Sequence, residues 1–267
     1  MSPSGALTLS MQFRLARRLT LLQACWSYER MQGLGFAYGM EPWLERCYGE
    51  RGPDLRQARL RHLEFFNTQP YMASLVLGMV CALEEEAAVL PPGERAGRLS
   101  RLKALKAATA SALAGIGDAL FWGALRSFCA ALALAAGILA LRCGVGGAVL
   151  LMAAVYLAAY DAPALLLRWR GLRWGYESGD QIAVRLQAFP WQAWIRRLRG
   201  AGLALAAAAG LLMLSAPGAR AGQREAGVVM LAAYLAALFS WPKVLSAYRL
   251  YAATCVAGTM AAAAGWI

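Results

Sequence analysis

The sequence predicts an all-α integral membrane protein, a multi-helix bundle with broken or re-entrant helices and amphipathic N-terminal helices. Three observations carry that prediction. Hydrophobic residues fill 60% of the 267 positions and charged residues only 16%, against about 25% charged in soluble domains. The apolar residues cluster in uncharged runs at 71–83, 107–117, 127–141, 143–160, 200–219, 226–242 and 250–267. Glycine, proline and polar side chains interrupt the chain beside the early, short runs. A spanning helix needs about 17–25 apolar residues. The last four runs meet that length, 127–141 is marginal, and the first two are too short to span alone.

The first 35 residues carry Arg14, Arg17, Arg18 and Arg30 and no long apolar segment, so a secretory signal is not expected and the N-terminus is placed in the cytoplasm. Leu15, Leu19, Leu22, Trp26 and Gly33 fall on one helical stripe at about 100° per residue, flanked by Glu29 and Arg30. The stripe fits a helix near the membrane, whether it packs on the membrane part or serves the site. Gly52-Pro53-Asp54 reads as a helix start, because proline suits the first helical position and aspartate favours the helix dipole there. The helix that follows places Leu55, Ala58, His62, Phe65 and Phe66 on one face. Glu64 then points nearly opposite His62, so the two are no acid–base dyad.

The stretch "HLEFFNTQPY" (62–71) sets Glu64, Asn67, Thr68 and Gln69 directly ahead of an apolar run. Buried without partners, such groups cost about 1–3 kcal/mol each. Pro70 disfavours helix at Gln69 and can begin a new one, so "NTQP" reads as a break between two helical segments. The run 71–83 ends at Glu84, Glu85 and Glu86 and is only about 20 Å long at 1.5 Å per residue, which fits a re-entrant or broken helix. Irregular backbone is tolerated at membrane depth only when buried in protein or lining a cavity. A second interruption is expected in "SALAGIGDALFWGALR" (111–126), where Gly115, Gly117 and Asp118 stand in an apolar stretch. Intramembrane carboxylates usually face a pathway, and paired interrupted segments point to a transporter binding site. The same groups fit a contact with a sister subunit equally well; spacing leaves both open.

Charge divides the chain. Residues 1–106 hold 14 basic and 10 acidic side chains, and 107–267 hold 13 and 5. Seven arginines lie between Arg168 and Arg199. Because the basic excess flanks apolar runs, the positive-inside rule accounts for it better than nucleic acid does. It places 168–199 in the cytoplasm and the C-terminal Ile267 outside. The resulting division is an amphipathic, membrane-proximal region at 1–70 and a membrane-embedded region at 71–267, with a cytoplasmic basic segment at 161–199. Six scattered cysteines without a C-x-x-C pair and a single histidine argue against a metal site, and no cofactor is expected. "GYESG" (175–179) reads as a turn at a cytoplasmic or interfacial corner. It lacks the Lys and Ser/Thr of a phosphate loop.

Four blocks are recognisable: "LLQACWSYERMQGLGFAYGM" (21–40), "RHLEFFNTQPYMASLVLGMVCALEEE" (61–86), "LAGIGDALFWGALR" (113–126) and "GYESG". They closely resemble the IID subunit of mannose/fructose/sorbose-type sugar phosphotransferase permeases, clearly over 14–126 and more weakly to 179. The resemblance implies a non-catalytic, multi-pass subunit of the inner (cytoplasmic) membrane. Its implied partner is a IIC subunit, in a trimer of IIC–IID pairs that moves a hexose across the membrane. Separate IIA and IIB proteins would supply the phosphoryl group. It also implies that Glu29, Arg30, Glu64, Asn67, Thr68, Gln69 and Asp118, which stand at motif positions, line the sugar pathway or the IIC contact. His62, on an apolar face, is expected to be structural. Ala112 and Ala119 stand where the family's pattern carries proline, and the loop 218–225 is short for the family. The competing reading is a structural or scaffold membrane protein, and a divergent IID-like chain with altered substrate is a further one.

Overall fold

The computed structural model describes residues 7–214. The expected runs at 226–242 and 250–267, the end of 200–219, the loop 218–225 and Ile267 lie outside the described residues. Nine α-helices are seen within that range: α1 (Leu9–Leu19), α2 (Gly33–Tyr48), α3 (Pro53–His62), α4 (Ala73–Val89), α5 (Pro92–Gly117), α6 (Arg126–Arg142), α7 (Ala148–Ser178), α8 (Ile182–Ala188) and α9 (Trp191–Leu214). A π-helical stretch, Asp118–Leu125, joins α5 to α6, and a 3-10 turn, Gly179–Gln181, joins α7 to α8. The all-α class is therefore as the sequence predicts. Two continuous helical stretches, Pro92–Arg142 and Ala148–Ala188, are long and apolar enough to cross a membrane. The described residues divide into two compact units, 7–126 with 157–197, and 127–156 with 198–214.

In the first unit the N-terminal stripe holds for only part of its length. Thr8 caps α1 by accepting from the Met11 amide at 3.3 Å, and Thr20 closes it by donating to the Arg17 carbonyl at 2.6 Å. Leu15, Leu19 and Leu22 are buried as the stripe requires, but Trp26 is exposed. The helix does not run on to Gly33. The chain turns at 20–32, where Ser27 and Met31 exchange backbone hydrogen bonds and Met31 takes a left-handed φ of 51°. A non-glycine residue rarely adopts that conformation, and the tertiary bonds described below hold it there.

The start of α3 is as expected, with Pro53 in its first turn and Asp54 beside it. Leu55, Ala58 and His62 are buried on one face. The helix stops at His62, so Phe65 and Phe66 do not extend that face. Phe66 is buried from the following loop while Phe65 is exposed.

Helix α4 is buried at every position from Ala73 to Glu84, as befits a helix that is apolar all round. It packs among α1, α2 and α5. The short run at 71–83 is thus enclosed by protein, and the break ahead of it at "NTQP" is present as a non-helical loop over 63–72. The three glutamates do not end the helix, because each has a partner inside the fold. Glu84 pairs with Arg61, Glu85 accepts from Tyr176, and Glu86 pairs with Arg98.

Two further expectations are corrected. The chain is not interrupted at Gly115, Gly117 and Asp118, since helix continues through the wider π turns from Asp118. Gly117 serves instead for close approach, because a side chain there would run into Gln69. Gly175 is no turn either. It lies within α7 against α4, where an added Cβ would strike the Leu75 carbonyl, just as one at Gly78 would strike the Leu172 carbonyl. Small residues of this kind let two helix backbones touch. Only Gly179, at φ 45°, turns the chain. In the second unit α6 meets α7 at Gly137 and Met152, and α9 meets α6 at Gly202 and Phe128.

Candidate functional site

The polar loop after α3 is held by its main chain. The Gln32 amide nitrogen donates to the Phe66 carbonyl at 2.8 Å, and the Phe66 amide donates to the Arg30 carbonyl at 3.3 Å. The Gln32 side chain then grips Thr68 from both sides. Its Nε2 donates to the Thr68 carbonyl at 2.9 Å, and its Oε1 accepts from the Thr68 amide at 3.0 Å. Thr68 Oγ1 donates to the Ala110 carbonyl of α5 at 2.9 Å. Gln69 Oε1 accepts from the Tyr71 amide at 2.7 Å and the Met72 amide at 3.3 Å, satisfying donors at the start of α4. The segments 27–32 and 63–69, far apart in sequence, therefore form one braced surface on α5.

Beneath that surface lies a buried charged cluster. The Glu84 carboxylate, fully buried, accepts from Arg61 at 2.7 and 2.9 Å, from Tyr48 at 2.7 Å and from His62 Nε2 at 2.8 Å. On its other ring nitrogen, Nδ1, His62 meets Lys106 Nζ at 3.3 Å. An ammonium only donates and a carboxylate only accepts, so His62 is the neutral tautomer with its proton on Nε2. Burial, opposed by the hydrogen bond to Glu84, pushes its pKa down to about 4. Lys106 itself lies 4.4 Å from the Phe36 ring centre and 5.5 Å from that of Phe66, where a desolvated cation is stabilised by the ring faces.

A cavity of about 410 Å³ opens above this cluster, between the loop residues Glu64, Phe65, Phe66 and Asn67 and the α5 residues Lys103, Lys106 and Ser111. A shallower depression of about 360 Å³ adjoins it through Glu64 and is lined by Glu29 and Arg30. Four of the seven motif residues, Glu29, Arg30, Glu64 and Asn67, are thus brought to one region. Glu29 and Arg30 are both exposed, 3.9 Å apart, and Glu64 pairs with Lys103 at 2.9 Å. Asn67 is exposed in the loop. Thr68 and Gln69 are buried and spend their bonds on bracing, although Gln69 Nε2 has no partner among the described residues. Asp118 stands apart: it is exposed, and it lines neither cavity.

Sequence reasoning missed Gln32, Glu84 and Lys106. The spacing of Glu84 from His62, at i+22, carries no local signal. The one available clue to Lys106 was a lysine immediately ahead of an apolar run.

The family described as "PTS system mannose/fructose/sorbose family IID component" matches residues 6–206. The mannose-specific EIID component of Escherichia coli K12 is 38% identical over 168 residues, 62% of this chain and 54% of that protein. The fructose permease IID component of Bacillus subtilis is 31% identical over 182 residues, 68% of this chain and 62% of that protein. The chain spans about half the length of the mannose-specific relatives it matches. Among solved structures, a chain of the mannose transporter ManYZ in complex with microcin E492 has a TM-score of 0.56 and 27% identity, over 97% of both chains. A second, described only as a membrane protein, has a TM-score of 0.68 and 28% identity, over 98% of both.

The buried cluster gives a direct test. Glu84→Gln leaves Arg61 without its counter-charge inside the fold and is expected to cost about 3–5 kcal/mol, read as a lowered midpoint of thermal unfolding in detergent. Glu86→Gln, at a more exposed ion pair, is expected to cost at most about 1 kcal/mol. Equal, small effects from both would show that the cluster does not hold the unit together.

Proposed function

Because the chain belongs to the mannose/fructose/sorbose family of phosphotransferase-system IID components, we propose that it is a permease subunit that translocates a mannose-type hexose together with a IIC subunit. In this reading IIA and IIB proteins phosphorylate the sugar, and IIC–IID pairs assemble as a trimer in the inner membrane. The observation that carries it is the braced loop, whose main chain is held at Phe66 and Thr68 while polar side chains remain uncommitted. Among the described residues Asn67, which lines the cavity, has no hydrogen-bond partner, and Gln69 Nε2 is a buried donor with none. Carboxylates and amides suit sugar hydroxyls, and Phe65 offers an exposed ring for the C–H face of a sugar. Glu29, Arg30 and Glu64 extend the same polar surface toward the pathway or the IIC contact. Thr68 serves it by bracing, and Asp118 belongs to a separate contact.

The subunit is proposed to be non-catalytic. The sole histidine is fully buried with both ring nitrogens engaged, a poor acceptor for a phosphoryl group from a soluble donor. Intact-mass measurement after incubation with phosphorylated IIB is expected to show no adduct; a stable phosphoryl group on His62 would overturn this.

We further propose the topology of the sequence reading, with residues 1–70 membrane-proximal, 71–267 embedded, the N-terminus inside and the basic segment 161–199 cytoplasmic. A cysteine at position 173 is expected to react with impermeant reagent only from the cytoplasmic side, and one at position 267 only from outside. Labelling of both from one side contradicts the reading.

Asn67→Ala separates transport from assembly. One hydrogen bond to a neutral partner contributes about 0.5–1.5 kcal/mol, so sugar affinity is expected to fall roughly three- to tenfold, at about 1.4 kcal/mol per tenfold, while IIC still co-purifies. Loss of IIC with unchanged affinity in the remaining complex would assign Asn67 to the subunit contact instead.

A further inference from the structure

Away from the polar loop, a groove of about 620 Å³ runs between α5 and the α8–α9 corner. Leu105, Ala112 and Ile116 line one side, and Leu186, Phe189 and Trp191 the other. The corner is built to last. The Trp191 indole donates to the Leu186 carbonyl at 3.0 Å, and the Phe189 and Trp191 rings lie 4.1 Å apart, with Trp174 at 6.1 and 6.2 Å. Polar groups are confined to a few positions, where Thr109, Gln187, Gln192 and Arg196 stand among the lining residues.

Two independent features say what such a groove takes. The first is charge. Arg196, with Arg185 on α8 and Arg197 on α9, is exposed and forms no ion pair among the described residues. The nearest acid in sequence, Asp180, is already held by Arg98 at 2.6 Å and Arg101 at 3.1 Å. The second is the tryptophan content. Trp169, Trp174, Trp191 and Trp194 fall within 26 residues of arginine-rich chain, the composition of a segment at headgroup level. A protein partner would have to bring its own acid to Arg196, the arginine of the lining, whereas an anionic lipid brings the charge and the acyl chain together. Basic pockets between helices on the cytoplasmic side bind anionic headgroups for this reason.

We propose that this groove binds an anionic phospholipid, one acyl chain lying along Leu105, Ile116 and Leu186 and the phosphate facing Arg196. The site is distinct from the sugar-facing loop and does not depend on that assignment, though it rests on the proposed cytoplasmic placement of 161–199. It wedges lipid between α5 and the corner where α9 begins.

Native mass spectrometry of the full chain, titrated with dioleoylphosphatidylglycerol or dioleoylphosphatidylcholine, tests it. The anionic lipid is expected to be retained preferentially. Arg196→Gln is expected to weaken its retention roughly fivefold, the effect of one basic residue near an anionic surface, while Arg170→Gln, outside the groove, changes it little. Ala112→Trp fills the groove and is expected to lower retention of both lipids. Equal retention of the two lipids by the wild type, or equal effects of the two arginine variants, overturns the proposal. So does release of a co-purifying subunit by Ala112→Trp with lipid retention unchanged, which makes the groove a protein interface. If Ala112→Trp fails to fold, the paired arginine variants decide alone.

Discussion

The first unit is organised around one carboxylate. Glu84 is fully buried, and a carboxylate has about four lone-pair sites to satisfy. Two N–H groups of Arg61, the Tyr48 hydroxyl and His62 supply four donors. Those donors come from α2 and α3, the acceptor sits on α4, and His62 passes the chain of contacts to Lys106 on α5. A buried charge of this kind is weak evidence for stability in itself. Its effect is geometric: four helices must meet at one register, because any slip leaves ionised groups unpaired in a desolvated interior.

That register in turn fixes the polar loop. Residues 63–69 leave α3 directly after His62 and enter α4 through Gln69, so both ends are pinned near the cluster. Gln32 supplies what the loop lacks, a donor and an acceptor to pair with Thr68 at depth. The left-handed Met31 beside it follows from the same requirement. The chain must reverse there to deliver Gln32, and the backbone bonds to Phe66 and Ser27 offset the cost of roughly 1–3 kcal/mol that such a conformation carries.

Much of this was legible in the sequence, and the limits have physical causes. The all-α membrane class, the start of α3 and the break at "NTQP" follow from composition, proline and apolar run length. Glu29, Arg30, Glu64 and Asn67 stand out in the sequence as polar groups in matched motif blocks, and the fold brings them to one region. The glutamates at 84–86 misled, since a charge reads as the end of an apolar helix unless its partners are known, and those partners lie as much as 91 residues away, at Tyr176. Gly115, Gly117 and Asp118 misled for the opposite reason. Glycine marks both helix breaks and tight helix contacts, and only the approach of Gln69 shows which applies. The stripe through Trp26 failed because periodicity cannot see a turn that tertiary bonds impose.

The manner in which the loop is gripped bears on how freely its outer face can change. Gln32 holds Thr68 through its amide and carbonyl, groups that every residue at that position shares. The surface the loop presents is therefore decoupled from the forces that shape it. A substitution at Asn67 or Phe65 meets no packed core and breaks no described hydrogen bond. The exposed face of the loop can therefore change one residue at a time on an unchanged frame, whereas any change at Gln32 or Glu84 has to be matched elsewhere.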